Sequence, residues 1–204
     1  MKKAIVCVVL CSAMAYNGLA QTATILTDQE RLAAVKILED TQREVLEAVK
    51  GLSDEQLNYK PAPDKWSVGE CLKHIAAAEK ELWPMAQQGL SAKANPESRS
   101  KIKFSDEELV KAVEDRSHKS TTFAALEPVN SPYHSIAESL TAFTANRKAL
   151  IDFVKTTKAD LRGHVLMLPL GNYDVYQFIL LIAAHSNRHT QQINEVKANA
   201  GFPK

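Results

Sequence analysis

The stretch that decides the fold is residues 175–197, VYQFILLIAAHSNRHTQQINEVK. Its apolar residues recur at alternating intervals of three and four, which is the spacing of one face of an α-helix. Two histidines and a glutamine then continue the same face before an apolar residue resumes it. In chain order the face consists of Val175, Phe178, Ile182, His185, His189, Gln192 and Val196. The stretch therefore predicts a long helix whose inward face changes from apolar to polar.

Capping boxes mark the starts of the other helices. In this motif a Ser or Thr side chain caps a backbone N–H, and a Glu or Gln three residues later reaches back. The chain has such boxes at Thr27–Glu30, Ser53–Gln56, Ser67–Glu70, Ser105–Glu108 and Ser135–Glu138. Together with the apolar spacing they predict long helices over about 28–50, 68–88, 106–126, 136–156 and 173–199, and a short turn after Ser53.

Three details of these helices are also expected. The inward stripe of the first helix should consist of Leu32, Val35, Leu38, Val45, Leu46 and Val49. Pro84 should kink the second long helix, or end it near Trp83, because proline cannot donate a helical hydrogen bond. Asn172 can cap the last helix.

The segments between the helices show no strand pattern. Residues 91–103 are polar, and residues 158–172 contain two glycines and a proline, so a loop and an irregular crossover are expected. Neither alternation of apolar and polar residues nor a hairpin motif is present. The predicted fold class is all-α, a four-helix bundle with additional short helices.

The N-terminus has the features of a secretory signal peptide. Lys2 and Lys3 precede an apolar run at residues 4–15, and Gly18 and Ala20 supply small residues before a cleavage site. The run is too short to span a bilayer, which takes about 20 residues. We therefore predict a signal peptide at 1–20 and one helical domain at 21–204. The protein is expected to be periplasmic or secreted, without a stable membrane anchor.

Composition excludes several classes of function. The 25 basic and 24 acidic residues give a formal net charge of +1, so no electrostatic footprint for nucleic acid is present. The seven glycines are scattered, and no P-loop or Rossmann fingerprint is found. Loss of residues 1–20 leaves Cys71 as the single cysteine, which cannot form an intramolecular disulfide. A small-molecule substrate, not nucleic acid, is the expected partner.

His185 and His189 lie one turn apart on the inward face of the last helix. A polar group in a bundle core costs free energy unless it is paired, and two imidazoles at this spacing can bind one metal ion. The alternatives are a hydrogen-bonded pair of core histidines and an unkinked helix end that simply faces solvent.

A metal ion needs at least a third ligand, and four other histidines compete for that role. His74 has apolar or small neighbours and is the best partner, although alone it would be interpreted as a core histidine. His118 lies in a charged segment, and His134 and His164 lie in connections. Three histidines on two helices would leave positions for water or substrate, as in catalytic sites.

Other side chains near these histidines are weaker candidates. Cys71 could be a ligand or nucleophile, although a buried inert cysteine is the commoner case. Arg188 could bind an anionic substrate, although a surface arginine is the simpler interpretation. Glu79 and Glu138 are conceivable general bases.

Two segments together resemble the DinB/YfiT-like superfamily. They are Trp66-Ser67-x-x-Glu70-x-x-x-His74-Ile75 and Ala184-His185-Ser186-Asn187-Arg188-His189-Thr190-Gln191-Gln192-Ile193. The resemblance spans about residues 28–197 and implies a bundle of that family's topology. It also implies a divalent metal held by His74, His185 and His189, and often a homodimer. Members of the family with assigned chemistry are mostly thiol-dependent transferases or isomerases, and others are described as metal-dependent hydrolases.

Two functions follow from the sequence. The first is a metalloenzyme in which an ion, expected to be zinc with nickel, iron or manganese as alternatives, activates a water or a thiol for hydrolysis or thiol transfer on a small molecule. The second is a non-catalytic exported bundle that binds a partner or sequesters metal.

Overall fold

The structure is a computed structural model, which describes residues 25–118, 121–169 and 171–204. Its α-helices are α1 Asp28–Val49, α2 Asp54–Asn58, α3 Val68–Ser91, α4 Asp106–Glu114, α5 Ile136–Thr156 and α6 Val175–Lys197. Two short strands, β1 Val165–Leu168 and β2 Gly171–Asp174, precede α6. Short 3-10 turns cover Pro96–Lys101, Ala124–Leu126 and Pro128–Asn130. The predicted signal peptide at 1–20 lies outside the described residues.

The helix starts follow the capping boxes. All five predicted boxes are formed, with the N-cap side chain and the residue three later bonded to each other's backbone N–H. The last helix differs from the prediction, because its N-cap is Asp174 and not Asn172. The Asp174 side chain accepts from the backbone N–H of Gln177 at 2.8 Å. Asn172 lies in β2 opposite Met167 of β1.

Four long helices form the bundle. α1 packs against α5 and α6, α3 packs against the same two helices, and α4 lies on α6. The predicted all-α class is confirmed, and the sheet is limited to one two-stranded hairpin in the described residues. None of the helices that the structure describes is long and apolar enough to cross a membrane.

The predicted helix over 106–126 is too long. α4 ends at Glu114, and a 3-10 turn replaces its expected last part. Arg188 on α6 supplies the physical reason, because its guanidinium donates to the carbonyls of Val113 and His118 at 3.3 and 2.8 Å and to that of Asp115. These bonds satisfy the carbonyls at the helix end that a further turn would otherwise bond.

The expected irregular crossover contains a hairpin, so the prediction that strands are absent was wrong. β1 and β2 pair antiparallel, with Val165 opposite Asp174 and Leu168 opposite Gly171. The two buried residues of each strand are consecutive, at the start of β1 and at the end of β2. The strands therefore lack the alternation of buried and exposed residues that marks a strand in sequence. Gly171 has φ +148°, a region that side chains rarely adopt, and a Cβ there would lie 2.6 Å from the Tyr173 hydroxyl oxygen.

Two further expectations are corrected. α3 does not end near Trp83 but continues through Pro84 to Ser91, and the kink expected at Pro84 stays a prediction. Leu32, predicted to face inward, is 69% exposed, whereas Leu38, Val45 and Val49 of the predicted stripe are buried. Ala34, Thr41 and Ala48 complete the buried face of α1.

The core of the bundle consists of two separate apolar clusters. The first, here called the lower core, contains Leu38, Leu150 and Ile182, and β1 and β2 close it. The second, the upper core, contains Val45, Leu72, Ile75, Phe143 and Ile193. Each of the four long helices contributes to both clusters, so each crosses the boundary between them.

Candidate metal centre

The three predicted ligands lie together between α3 and α6. His74 comes from the second turn of α3, and His185 and His189 come from successive turns of α6. The nitrogens that they offer all lie within 4.8 Å of one another, and the Nε2 atoms of His74 and His185 are 3.2 Å apart. His118, His134 and His164 lie outside this cluster.

The imidazole rings pack face to edge, and a tryptophan covers two of them. Ring centroids are 4.3 Å apart for His74 and His189, 4.6 Å for His185 and His189, and 5.0 Å for His74 and His185. The Trp66 ring lies 4.9 Å from His74 and stacks on His189 at 5.8 Å. Trp66 therefore forms one wall of the cluster, a role that was not predicted from the sequence.

Hydrogen bonds on the far side of two rings fix their tautomers. The Nδ1–H of His74 donates to the Leu126 carbonyl at 2.7 Å, and the Nδ1–H of His189 donates to Gln192 Oε1 at 2.9 Å. Since each acceptor is a carbonyl oxygen, each Nδ1 carries the proton and each Nε2 keeps its lone pair. Such partners orient metal-binding histidines and raise their basicity as ligands.

Burial keeps all three rings neutral. His74 is 1% and His189 is 8% exposed, while His185 is half-buried. Desolvation lowers the pKa of His74, lowers that of His185 to about 3, and lowers that of His189 well below its usual value. For His185 and His189 the repulsion that a protonated neighbouring histidine would exert acts in the same direction. The neutral imidazole is the form that binds metal ions.

A family comparison covers the part of the chain that contains this cluster. The family model of the DinB superfamily matches residues 37–193, a region that contains all three histidines and Trp66. The chain belongs to the DinB superfamily.

Two proteins illustrate the extent of the similarity. This DinB protein is 29% identical over 164 residues to the uncharacterized protein YuaE of Bacillus subtilis (strain 168), covering 80% of this chain and 96% of YuaE. The solved structure of YfiT from Bacillus subtilis superposes with a TM-score of 0.60 at 16% identity, covering 87% of this chain and 91% of YfiT. YfiT is described as a probable metal-dependent hydrolase with an unusual four-helix bundle topology. At this identity the likeness shows the fold.

The three histidines of the cluster form a donor set that fits a divalent ion. Three neutral imidazole nitrogens converge, and two of them are held in the ligating tautomer by bonds on their other side. Imidazole suits zinc, nickel and iron, and three protein ligands leave a coordination position for water or substrate. The three histidines could therefore hold a metal ion.

The other side chains singled out in the sequence have different roles. Cys71 is fully buried and free, and burial raises the pKa of its thiol far above the usual range, so it is no thiolate. Arg188 is engaged by the carbonyls at the end of α4. Glu138 caps α5 through the backbone N–H groups of His134 and Ser135. Glu79 is buried and bonded to Arg147.

Proposed function

We propose that this protein binds one divalent metal ion through His74, His185 and His189 and uses it for hydrolysis or thiol transfer on a small molecule. The convergence of three neutral, oriented imidazole nitrogens within 4.8 Å carries the proposal. The description of YfiT as a probable metal-dependent hydrolase supports the reaction class. Zinc is the ion that we propose first, with nickel, iron or manganese as alternatives.

The three histidines and Trp66 would have different roles at such a site. A bound divalent ion lowers the pKa of a water or thiol that it binds, which supplies a nucleophile near neutral pH. His74 and His189 are fixed by their Nδ1 bonds and are nearly inaccessible. Trp66 covers these two rings, so the substrate is expected to approach beside the more exposed His185.

A second candidate is metal binding without catalysis. It is favoured by the contacts of Glu79 and Glu138, the two carboxylates considered as general bases, because both are engaged elsewhere. An exported bundle with these properties would sequester a metal ion or bind a partner.

Export and a homodimer also belong to the proposal. The order of basic, apolar and small residues at 1–20 supports export to the periplasm or medium. Intact-mass measurement of the protein recovered from its host tests cleavage before Gln21, and sedimentation equilibrium tests the dimer.

Metal content measured by plasma mass spectrometry tests the site itself. The purified protein is compared with a His185→Ala/His189→Ala variant and with His164→Ala, a half-buried histidine outside the cluster. About one divalent ion per chain in the wild type and in His164→Ala, with loss in the double variant, is expected. No metal in any sample after reconstitution with zinc, nickel and manganese would contradict metal binding.

A catalytic role is tested on the metal-loaded protein with panels of ester, amide and thiol-acceptor substrates. Turnover that is lost in the double variant supports the enzyme. Stoichiometric metal whose bound water does not exchange would favour sequestration instead.

A further inference from the structure

A buried arginine joins all four long helices at one level of the bundle. Arg147 on α5 is 0% exposed, and all of its N–H groups find acceptors. The bonds run from Nε to Glu79 Oε1 (2.6 Å), from Nη2 to Glu79 Oε2 (3.3 Å) and Ser186 Oγ (2.8 Å), and from Nη1 to Thr41 Oγ1 (2.6 Å) and the Leu38 carbonyl (2.8 Å). We call Thr41, Glu79, Arg147 and Ser186 the polar layer. It contains one residue from each of α1, α3, α5 and α6.

The polar layer lies at the boundary between the two cores. On α5 Arg147 stands between Phe143 of the upper core and Leu150 of the lower core. On α1 Thr41 stands in the same way between Leu38 and Val45. The apolar packing of the bundle is therefore interrupted at one level by charged and hydroxyl groups.

Stability alone does not explain such a layer. Burial raises the pKa of Glu79, and only the charge and hydrogen bonds of Arg147 oppose that effect. Replacing a buried ion pair by apolar residues of similar volume is often neutral or stabilising. Buried polar groups are best attested as devices that fix the register of packed helices.

The layer lies next to the histidine cluster on both metal-bearing helices. Ser186 directly follows His185, and successive helical residues point about 100° apart because a turn holds 3.6 residues. The bond from Arg147 to Ser186 fixes the rotation of α6 about its axis. At that rotation the His185 side chain points toward α3, where its Nε2 lies 3.2 Å from the Nε2 of His74. On α3 Glu79 follows His74 by five residues, about 7.5 Å along the axis.

We propose that Arg147 and Glu79 are positioning residues for the metal centre, because the polar layer holds α3 and α6 at the register at which the three imidazoles converge. This inference rests on the metal binding proposed above. It assigns to the layer a role in the geometry of the centre in addition to any role in folding.

The test replaces the pair without leaving a buried charge. In Glu79→Leu/Arg147→Met both charges are removed, and the hydroxyls of Thr41 and Ser186 keep the Ile37 and Ile182 carbonyls as acceptors, at 2.7 and 3.3 Å. The matched control is Glu39→Leu/Lys155→Met, which removes a half-exposed ion pair of 2.7 Å between α1 and α5. Circular dichroism and urea denaturation establish that each variant folds cooperatively.

Binding of Co²⁺ and Zn²⁺ is measured by calorimetry, and the visible d–d absorption of Co²⁺ reports the geometry of the centre. Loss of outer-shell partners typically weakens metal binding 10- to 100-fold. Because the layer acts on the rings through the helices and not by a bond to an imidazole, we expect a weakening at the lower end of this range, about 10-fold, and an altered Co²⁺ spectrum in the layer variant. The control should stay within about twofold of the wild type. A folded layer variant with wild-type dissociation constants and spectrum would overturn the inference.

Two further measurements keep the outcomes separate. If the wild type binds neither ion, the proposed function fails, and imidazole ¹⁵N spectra of the metal-free proteins then decide whether the layer positions the rings. Unchanged ¹⁵N shifts for the cluster in the layer variant would refute positioning, and altered shifts would support it. If the double variant does not fold, Ser186→Ala replaces it, and a dissociation constant equal to that of the wild type counts against the inference.

Discussion

Replacing His185 by glutamine should reduce the pH dependence of the stability of the metal-free protein. Burial lowers the pKa of His185 to about 3, whereas an unfolded histidine titrates near its usual value of 6.5. Because the folded pKa lies below the unfolded one, the unfolded chain takes up the proton first as the pH falls. The neutral ring therefore contributes its full stability above about pH 6.5 and loses it progressively toward pH 3.

The size of the effect follows from these two pKa values. Between pH 7 and pH 5 the unfolded state gains about 0.7 of a proton at this position, and the folded state gains almost none. The free energy of unfolding should therefore fall by about 2 kcal/mol on account of His185 alone. The pKa values of His74 and His189 are lowered too, so a remaining dependence of the same sign is expected in the variant.

Urea denaturation at pH 7, 6 and 5 with a chelator present measures this difference. His185→Gln keeps a polar side chain that does not titrate, and His164→Gln is the matched control outside the cluster. The wild type and the control should each lose about 2 kcal/mol more than His185→Gln over this range. Stabilities that change in parallel, within about 0.5 kcal/mol, would refute a neutral buried His185.

Three further predictions concern the layer, the wall and the caps. Arg147→Met alone leaves the buried Glu79 carboxylate without its partner and should lower the free energy of unfolding, measured by urea denaturation, by about 3–5 kcal/mol. Glu79→Leu/Arg147→Met should recover most of that stability. A quenching ion such as Cu²⁺ should quench Trp66, which lies 4.9 Å from His74, but not Trp83, which packs on Phe153. Quenching that survives in Trp66→Phe would contradict the assignment. Ser67→Ala should cost about 1 kcal/mol of stability, because the hydroxyl caps the N–H of Glu70, and an unchanged denaturation midpoint would contradict that role.

The helix starts could be predicted from sequence because their signals are local. A capping box needs two side chains three residues apart, and every predicted box is formed. The end of α4 could not be predicted in the same way, since Arg188 terminates it from a distance of more than 70 positions along the chain. The hairpin was missed because its four-residue strands are buried at one end and show no alternation.

The histidine cluster could be predicted because His185 and His189 interrupt an apolar face of α6. The same test, applied to α1 and α5, marks Thr41 and Arg147, which are two of the four residues of the polar layer. Thr41 lies three residues after Leu38 and four before Val45, and Arg147 lies four after Phe143 and three before Leu150. Each polar residue therefore occupies an inward position. What the sequence could not show is that these residues meet at one level, since that depends on the packing of four helices.

The placement of the three histidines has a consequence for the mechanical behaviour of the chain. His74 and His185 are 111 residues apart, and between them lie α4, α5 and the hairpin. An ion shared by these residues would act as a reversible covalent-like staple that closes a loop of that length, where loop-closure entropy is large. The described chain has a free buried cysteine and no disulfide, so resistance to unfolding would rise and fall with the metal supply of its surroundings.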